Sequence, residues 1–166
     1  MLFRSRRRVP LGFVAAAVAV VFADPTWGSW RAGLLVALAG EFIRVWAAGH
    51  LEKSREVTRS GPYRWMRHPL YVGSSIMAIG VVVAARDPFV ALVAAIYMVT
   101  TLTAAIRPEE AYLRRTFGDT YDRYSASAAE PMRRAFSLSR AMRNKEYRAI
   151  VGIAIGFALL ALKVLI

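Results

Sequence analysis

The sequence predicts an all-α integral membrane bundle of about five helices, and three observations carry that reading. Of 166 residues, 57% are apolar. Several apolar stretches reach the ~17 to 25 residues a helix needs to cross a hydrocarbon core ~30 Å thick. The cations gather in the segments between those stretches, as the flanks of membrane spans do. The length suits a single domain, residues 1–166.

The first span is expected at 9–23, within "MLFRSRRRVPLGFVAAAVAVVFA". Its basic start and apolar run match a signal peptide, but no convincing cleavage site precedes a soluble domain, so it reads as the first membrane helix. "DPTWGSW" and "RDP" break the apolar pattern, each joining a helix-capping Asp to a Pro suited to a first helical turn. They delimit spans at 32–49, 69–85 and 89–106. In the second span Glu41 and Arg44 stand three apart, where ionisable residues are costly and face a partner or a cavity. A mutual ion pair is the expectation, with a polar tunnel lining as the alternative; His50 is expected to cap the span at the interface. Residues 108–125, opening "PEEAYLRRTFGDTYDRY", place Pro108 at a first helical position and two carboxylates in a first turn, where the helix dipole favours them. Tyr112, Leu113, Phe117, Tyr121 and Tyr124 recur around Gly118 as an amphipathic helix broken near that glycine. "EPMRRAFSLSRAMRNKEYR" reads as a basic surface linker or short helix. The fifth span, 149–166, carries Gly152 and Gly156 as a GxxxG pair, a candidate contact for a second copy of the chain.

Orientation follows from the cations. Arg4, Arg6, Arg7 and Arg8, five more in 50–68 and ten in 107–148 make nineteen, against Arg31 and Arg86 in the two opposite connections. The N-terminus and both long polar segments are therefore expected in the cytoplasm. A net charge of +12 distributed this way favours an anionic lipid surface and not nucleic acid. The absence of cysteine excludes disulfides, thiolate catalysis and thiolate-ligated metals, and two histidines argue against a histidine-rich metal site.

"GPYRWMRHPLYVG", Gly61 to Gly73, sets three cations and two prolines at the mouth of the third span. Pro62 and Pro69 bias Gly61 and His68 away from helical geometry, so a defined turn is expected. Its composition fits a basic aromatic interface anchor, and equally a cationic aromatic pocket for a small anionic or zwitterionic ligand.

Taken whole, "EVTRSGPYRWMRHPLYVG" followed about forty residues later by "EEAYLRRTFGDTYDRY" resembles the isoprenylcysteine carboxyl methyltransferase family and its phospholipid methyltransferase relatives. The shared pattern is a GPY turn, RHPxYxG, a membrane helix, then EExxLxxxFGxxYxxY, and it covers about Leu51 to Tyr124, leaving 149–166 outside. The resemblance implies a multi-span membrane enzyme that binds S-adenosylmethionine in a cytoplasmic pocket and methylates a lipophilic acceptor from the bilayer. By position it implies cofactor contacts from Arg55, Glu56, Val57 and Thr58, from Tyr63, from His68, Pro69, Leu70 and Tyr71, and from Glu109. Glu110, about 100° further round a helix, is expected to face away from the cofactor; with Arg107 it forms the candidate substrate side, catalytic if either residue is. Members acting on a prenylated cysteine carry an Arg one turn before the first of the paired Glu. Here that place is Ala105, and Arg107 substitutes only through a local break at Pro108. Prenylcysteine carboxyl O-methylation is therefore expected beside phospholipid, lipid-amine or lipid-phenol methylation. Two further readings stay open: a nicotinamide-dependent membrane reductase, to which this family is similar in part, and a non-catalytic lipid-binding module.

Overall fold

The computed structural model describes residues 8–166, with side chains from Gly12 onward. Arg4, Arg6 and Arg7 lie outside the described residues, as does the side chain of Arg8. Seven α-helices follow: α1 (Arg8–Phe22), α2 (Trp27–His50), α3 (Pro69–Ala85), α4 (Pro88–Phe117), α5 (Asp119–Ser125), α6 (Leu138–Arg143) and α7 (Tyr147–Leu165), with a 3-10 turn at Gly61–Arg64 ahead of α3. No strand occurs among the described residues. Helices α2, α4 and α7 are long and apolar enough to cross a membrane; Gly12–Phe22 of α1 and all of α3 are shorter apolar helices. Large side chains such as Phe42, Leu92, Ile96 and Val99 point outward and exposed, which water would oppose and a bilayer favours. The chain is an integral membrane protein built as an all-α bundle.

Caps set the helix starts. Asp87 accepts from Val90 N at 2.8 Å, with Pro88 at the first helical position of α4, as expected from "RDP". The earlier break resolves differently: Thr26 and Ser29 form a reciprocal capping box, so α2 begins at Trp27, after Asp24 and Pro25. A larger correction concerns Pro108. It opens no helix but lies inside α4, which runs unbroken for 30 residues to Phe117. The helix continues through a residue that supplies no amide N–H. Glu109 and Glu110 are thus interior helical residues and gain nothing from a helix N-terminus. The expected break at Gly118 is present, with φ +47 between α4 and α5.

The central contact is between α2 and α3. A Cβ on Gly40 would lie 2.6 Å from Gly73 O and 2.7 Å from Met77 N, and one on Gly80 would lie 2.6 Å from both Ala37 N and Gly33 O. Gly33, Ala37 and Gly40 therefore meet Gly73, Gly80 and Ala84 backbone to backbone, the small-residue packing that stands in for hydrophobic attraction inside lipid. The GxxxG pair on α7 does not take part, since nothing lies within 4 Å of a Cβ placed on Gly152 or Gly156. Beyond α2, Trp30 Nε1 donates to Phe157 O of α7 at 2.8 Å, and Lys163 Nζ donates to Val20 O at 3.0 Å and Val21 O at 2.5 Å, tying α7 to the end of α1.

At the opposite end the polar segments fold over the bundle. The stretch expected to be a basic surface linker or short helix contains the short α6, and ahead of it forms a strap: Met132 N donates to Arg59 O, Ser137 N to Gly49 O, and Phe136 packs on Gly49 and His50. Two of its arginines are internal partners. Arg134 holds both oxygens of Glu56, at 2.6 and 2.8 Å, and Arg140 Nε holds Glu52 at 2.8 Å. That hydrogen bond keeps the Glu52 carboxyl below the usual carboxylate range.

Candidate functional site

Two prolines shape the approach to α3. Gly61, at φ +56, starts the 3-10 turn, and a Cβ there would strike the His50 ring, so only glycine fits beneath that histidine. His50 is accordingly a buried packing residue, its Nδ1 3.2 Å from Ser60 Oγ, and not the interfacial cap expected. The turn buries Pro62 and Tyr63, and His68 takes the non-helical position immediately before Pro69.

From there the two motifs converge. His68 Nε2 lies 2.9 Å from Glu110 Oε1, and Arg67 Nη1 lies 3.4 Å from the same oxygen. One turn further, Tyr71 OH donates to Glu109 Oε2 at 2.5 Å, and the His68 and Tyr71 rings stack with centroids 5.6 Å apart. From α5, Tyr124 OH donates to the backbone oxygens of Tyr63 and Met66, at 2.9 and 3.3 Å. Burial, together with the nearby charges of Glu109 and Glu146, pushes the Tyr63 phenol far above its ordinary range; burial pushes that of Tyr124 up to about 12. Both therefore remain neutral donors at any physiological pH.

The paired glutamates take different partners. Glu110 is the half-buried member facing His68, while Glu109 is the exposed one and accepts from Tyr71. Without a helix break at Pro108, Arg107 stays exposed, two positions and about 200° round from Ala105, and does not replace the missing arginine.

The 55–58 segment is placed less directly. Arg55 is exposed, Glu56 is clamped by Arg134, and Val57 and Thr58 are buried, with Thr58 Oγ1 accepting from Glu52 N at 3.2 Å. Pro69 is buried at the start of α3 and Leu70 presents its carbonyl inward, to Arg44 Nη1 at 3.4 Å. Next to them opens a cleft of about 250 Å³ lined by Arg59, Tyr63, Arg64, Arg67, Tyr124 and Ser125. Arg59 Nε is buried in that region without a hydrogen-bond partner among the described residues. Sequence reasoning passed over Arg59, although it stands between the Thr58 and Tyr63 positions that the family pattern marks.

Deeper in the bundle, Arg44 forms the expected ion pair with Glu41, at 3.8 Å, and a closer one with Glu146, at 2.6 Å, and it bonds Ser74 Oγ. The buried oxygens of Glu41 have no hydrogen-bond partner among the described residues. Glu146 comes from the segment ahead of α7, 102 positions away in sequence, and no local pattern announces it.

The chain matches the phospholipid methyltransferase family over residues 27–120. It is 32% identical over 111 residues to a probable protein-S-isoprenylcysteine O-methyltransferase of Oryza sativa subsp. indica, covering 60% of this chain and 58% of that protein. To protein-S-isoprenylcysteine O-methyltransferase A of Arabidopsis thaliana it is 32% identical over 115 residues, 62% of this chain and 58% of the relative. A nickel-cobalt-cadmium resistance protein, NccN, of Alcaligenes xylosoxydans xylosoxydans is 28% identical over 135 residues, 74% of this chain and 63% of that one. The chain thus spans less than two thirds of the length of these relatives. No solved structure matches.

Proposed function

Because this chain belongs to the phospholipid methyltransferase family, we propose that it transfers a methyl group from S-adenosylmethionine to a lipophilic acceptor held in the membrane. The observation that carries the proposal is the convergence of both motifs on one polar end of the bundle, His68 on Glu110, Tyr71 on Glu109 and Tyr124 on Tyr63. The cation distribution supports a cytoplasmic placement of that end, with the N-terminus. The single domain comprises a motif-bearing core, 51–124, and an additional span, 149–166.

The side chains present suit the cofactor. Its carboxylate needs buried cationic donors, and Arg59, with an unpartnered buried Nε, stands in a cleft beside Arg64 and Arg67. Its positive sulfonium suits aromatic faces and carboxylates, which Tyr63, Tyr71 and Glu109 supply. When bound, the cofactor supplies an electrophilic methyl group. Pro69 and Leu70 fix the start of α3, so His68 and Tyr71 are presented from a defined turn; Arg55, Glu56, Val57 and Thr58 are proposed as further cofactor contacts, Glu56 being held by Arg134 of the strap. Methyl transfer is an in-line displacement whose rate depends on holding donor and acceptor in contact and excluding water, and rigid packing does both. A carboxylate acceptor has no proton to lose. A phenol or ammonium acceptor does, and His68, oriented by Glu110, is the group here able to take it.

Protein S-isoprenylcysteine, methylated on oxygen, is the acceptor that the names of the isoprenylcysteine relatives give. The empty place at Ala105, with Arg107 exposed, favours instead a lipid acceptor without a carboxylate, a phospholipid amine or a lipid phenol, with Arg107 and Glu110 on its side of the site. Calorimetric titration with S-adenosylhomocysteine tests the cofactor assignment. Micromolar binding is expected, weakened at least tenfold by His68→Ala and by Glu109→Ala. Folded protein without affinity in several lipids overturns the function; affinity indifferent to both substitutions overturns the site. Saturable binding of a reduced nicotinamide dinucleotide instead points to reductase chemistry.

A further inference from the structure

In the strap and α6, two arginines turn inward while large apolar side chains turn outward. The side chains of Arg134 and Arg140 are only 20% and 16% exposed, on Glu56 and Glu52. Asn144 Nδ2 donates to Ala48 O and Leu51 O, each at 2.9 Å, at the end of α2. Glu146, the only carboxylate in residues 131–148, is buried on Arg44. On the outside stand Phe136 and Leu138, 46% and 59% exposed. Arg133, Arg143 and Lys145 are exposed around them. A segment washed by water on its outer side ordinarily keeps arginine there and tucks phenylalanine and leucine beneath.

The attachments of this segment set its depth. Helix α2 has 24 residues, about 36 Å of length against a hydrocarbon layer about 30 Å thick, so its ends reach the headgroup layers. Phe136 packs on Gly49 and His50 in the last turn of α2. Four residues after Arg143, the membrane-crossing α7 begins at Tyr147. The strap and α6 are therefore pinned at headgroup depth from both sides. Their neighbours suit that depth: Trp65 packs on Trp46 of α2 with centroids 5.8 Å apart, and Arg148 lies over the Tyr147 ring.

We propose that the outer face of the strap and α6 docks on anionic phospholipid headgroups of the bilayer that the chain spans. Phe136 and Leu138 sink below the phosphates, while Arg133, Arg143 and Lys145 stay level with them. No exposed carboxylate within 131–148 opposes that contact. The docking goes beyond the methyltransferase reading and stands without it. It makes the segment that holds Glu52 and Glu56 part of the membrane surface.

Spin labelling tests it. The chain contains no cysteine, so Leu138→Cys accepts a single nitroxide, and Ser139→Cys gives a second exposed position beside it. The full chain is placed in nanodiscs of phosphatidylcholine, with or without phosphatidylglycerol. Label depth is read from accessibility to oxygen against that to a neutral, water-soluble nickel chelate. Phe42→Cys, on the outward side of α2, supplies the hydrocarbon reference, and a labelled soluble peptide supplies the aqueous one. With phosphatidylglycerol the label at 138 is expected between the two references, its nickel accessibility about threefold or more below the aqueous one. Without phosphatidylglycerol, or after Arg133→Gln combined with Lys145→Gln, that accessibility is expected to rise about twofold. Aqueous accessibility at both positions in every lipid overturns the proposal, as does a depth indifferent to lipid charge and to the two substitutions. Broadening between labels on two copies identifies a dimer face, and shielding from oxygen and nickel alike identifies a covering protein segment; either result also overturns it.

Discussion

Arg44 gives the sharpest test of how the bundle is held. Its side chain is 20% exposed, that of Glu146 is 4% exposed, and their 2.6 Å contact joins α2 to the start of α7. Arg44→Met leaves Glu146 in place, buried and unpaired, with Glu41 nearby and already lacking a hydrogen-bond partner among the described residues. Removing one member of a buried pair costs about 3 to 5 kcal/mol, because the remaining charge keeps its desolvation penalty and loses its compensation. Leu70 O is not stranded, since Ser74 Oγ still donates to it at 2.9 Å. The cost therefore comes from the carboxylates, and removing Glu146 as well should return at least half of it. Equilibrium unfolding in mixed micelles, with denaturing detergent as the variable, measures wild type, Arg44→Met, Glu146→Leu and the double variant in one cycle. A loss below about 1 kcal/mol for Arg44→Met, or a double variant no more stable than that single one, would refute the reasoning and mean that water reaches the pair.

Two further predictions follow from packing and ionisation. Gly40→Ala should destabilise the protein by about 1 to 3 kcal/mol, because its new methyl meets backbone atoms of α3, whereas Gly152→Ala meets nothing and should be neutral or up to about 1 kcal/mol stabilising through helix propensity; thermal unfolding of both in one detergent compares them. Tyr124 has a folded-state pKa raised to about 12 from an unfolded value near 10, so its contribution is whole below pH ~10 and fades as pH rises toward 12. Tyr124→Phe should accordingly melt earlier at pH 8, by the loss of a hydrogen bond worth about 1 kcal/mol, and show a shallower stability loss between pH 10 and 12 than wild type; equal slopes would count against the buried phenol.

Sequence alone determined the membrane class, the five apolar helices and the two motifs, because each rests on local physics: hydrocarbon-length apolar runs, prolines that redirect the chain, and a spacing of residue types within about twenty positions. It also indicated that His68, Tyr71 and the paired glutamates belong together, through resemblance to a family. It could not decide which glutamate faces His68, because that depends on α4 continuing through Pro108, a residue type that ordinarily ends or kinks a helix. Nor could it find Glu146 as the closer partner of Arg44, since Glu41, which does pair with Arg44, has the better sequence spacing and the longer distance. Composition cast Arg134 and Arg140 as surface cations until the fold brought Glu56 and Glu52 beneath them. The glycines divide in the same way: Gly152 and Gly156 carry the recognisable motif, but Gly33, Gly40, Gly73 and Gly80 make the close contact. Which small residues touch depends on the rotation of each helix about its own axis, and that rotation is fixed by all the neighbours at once.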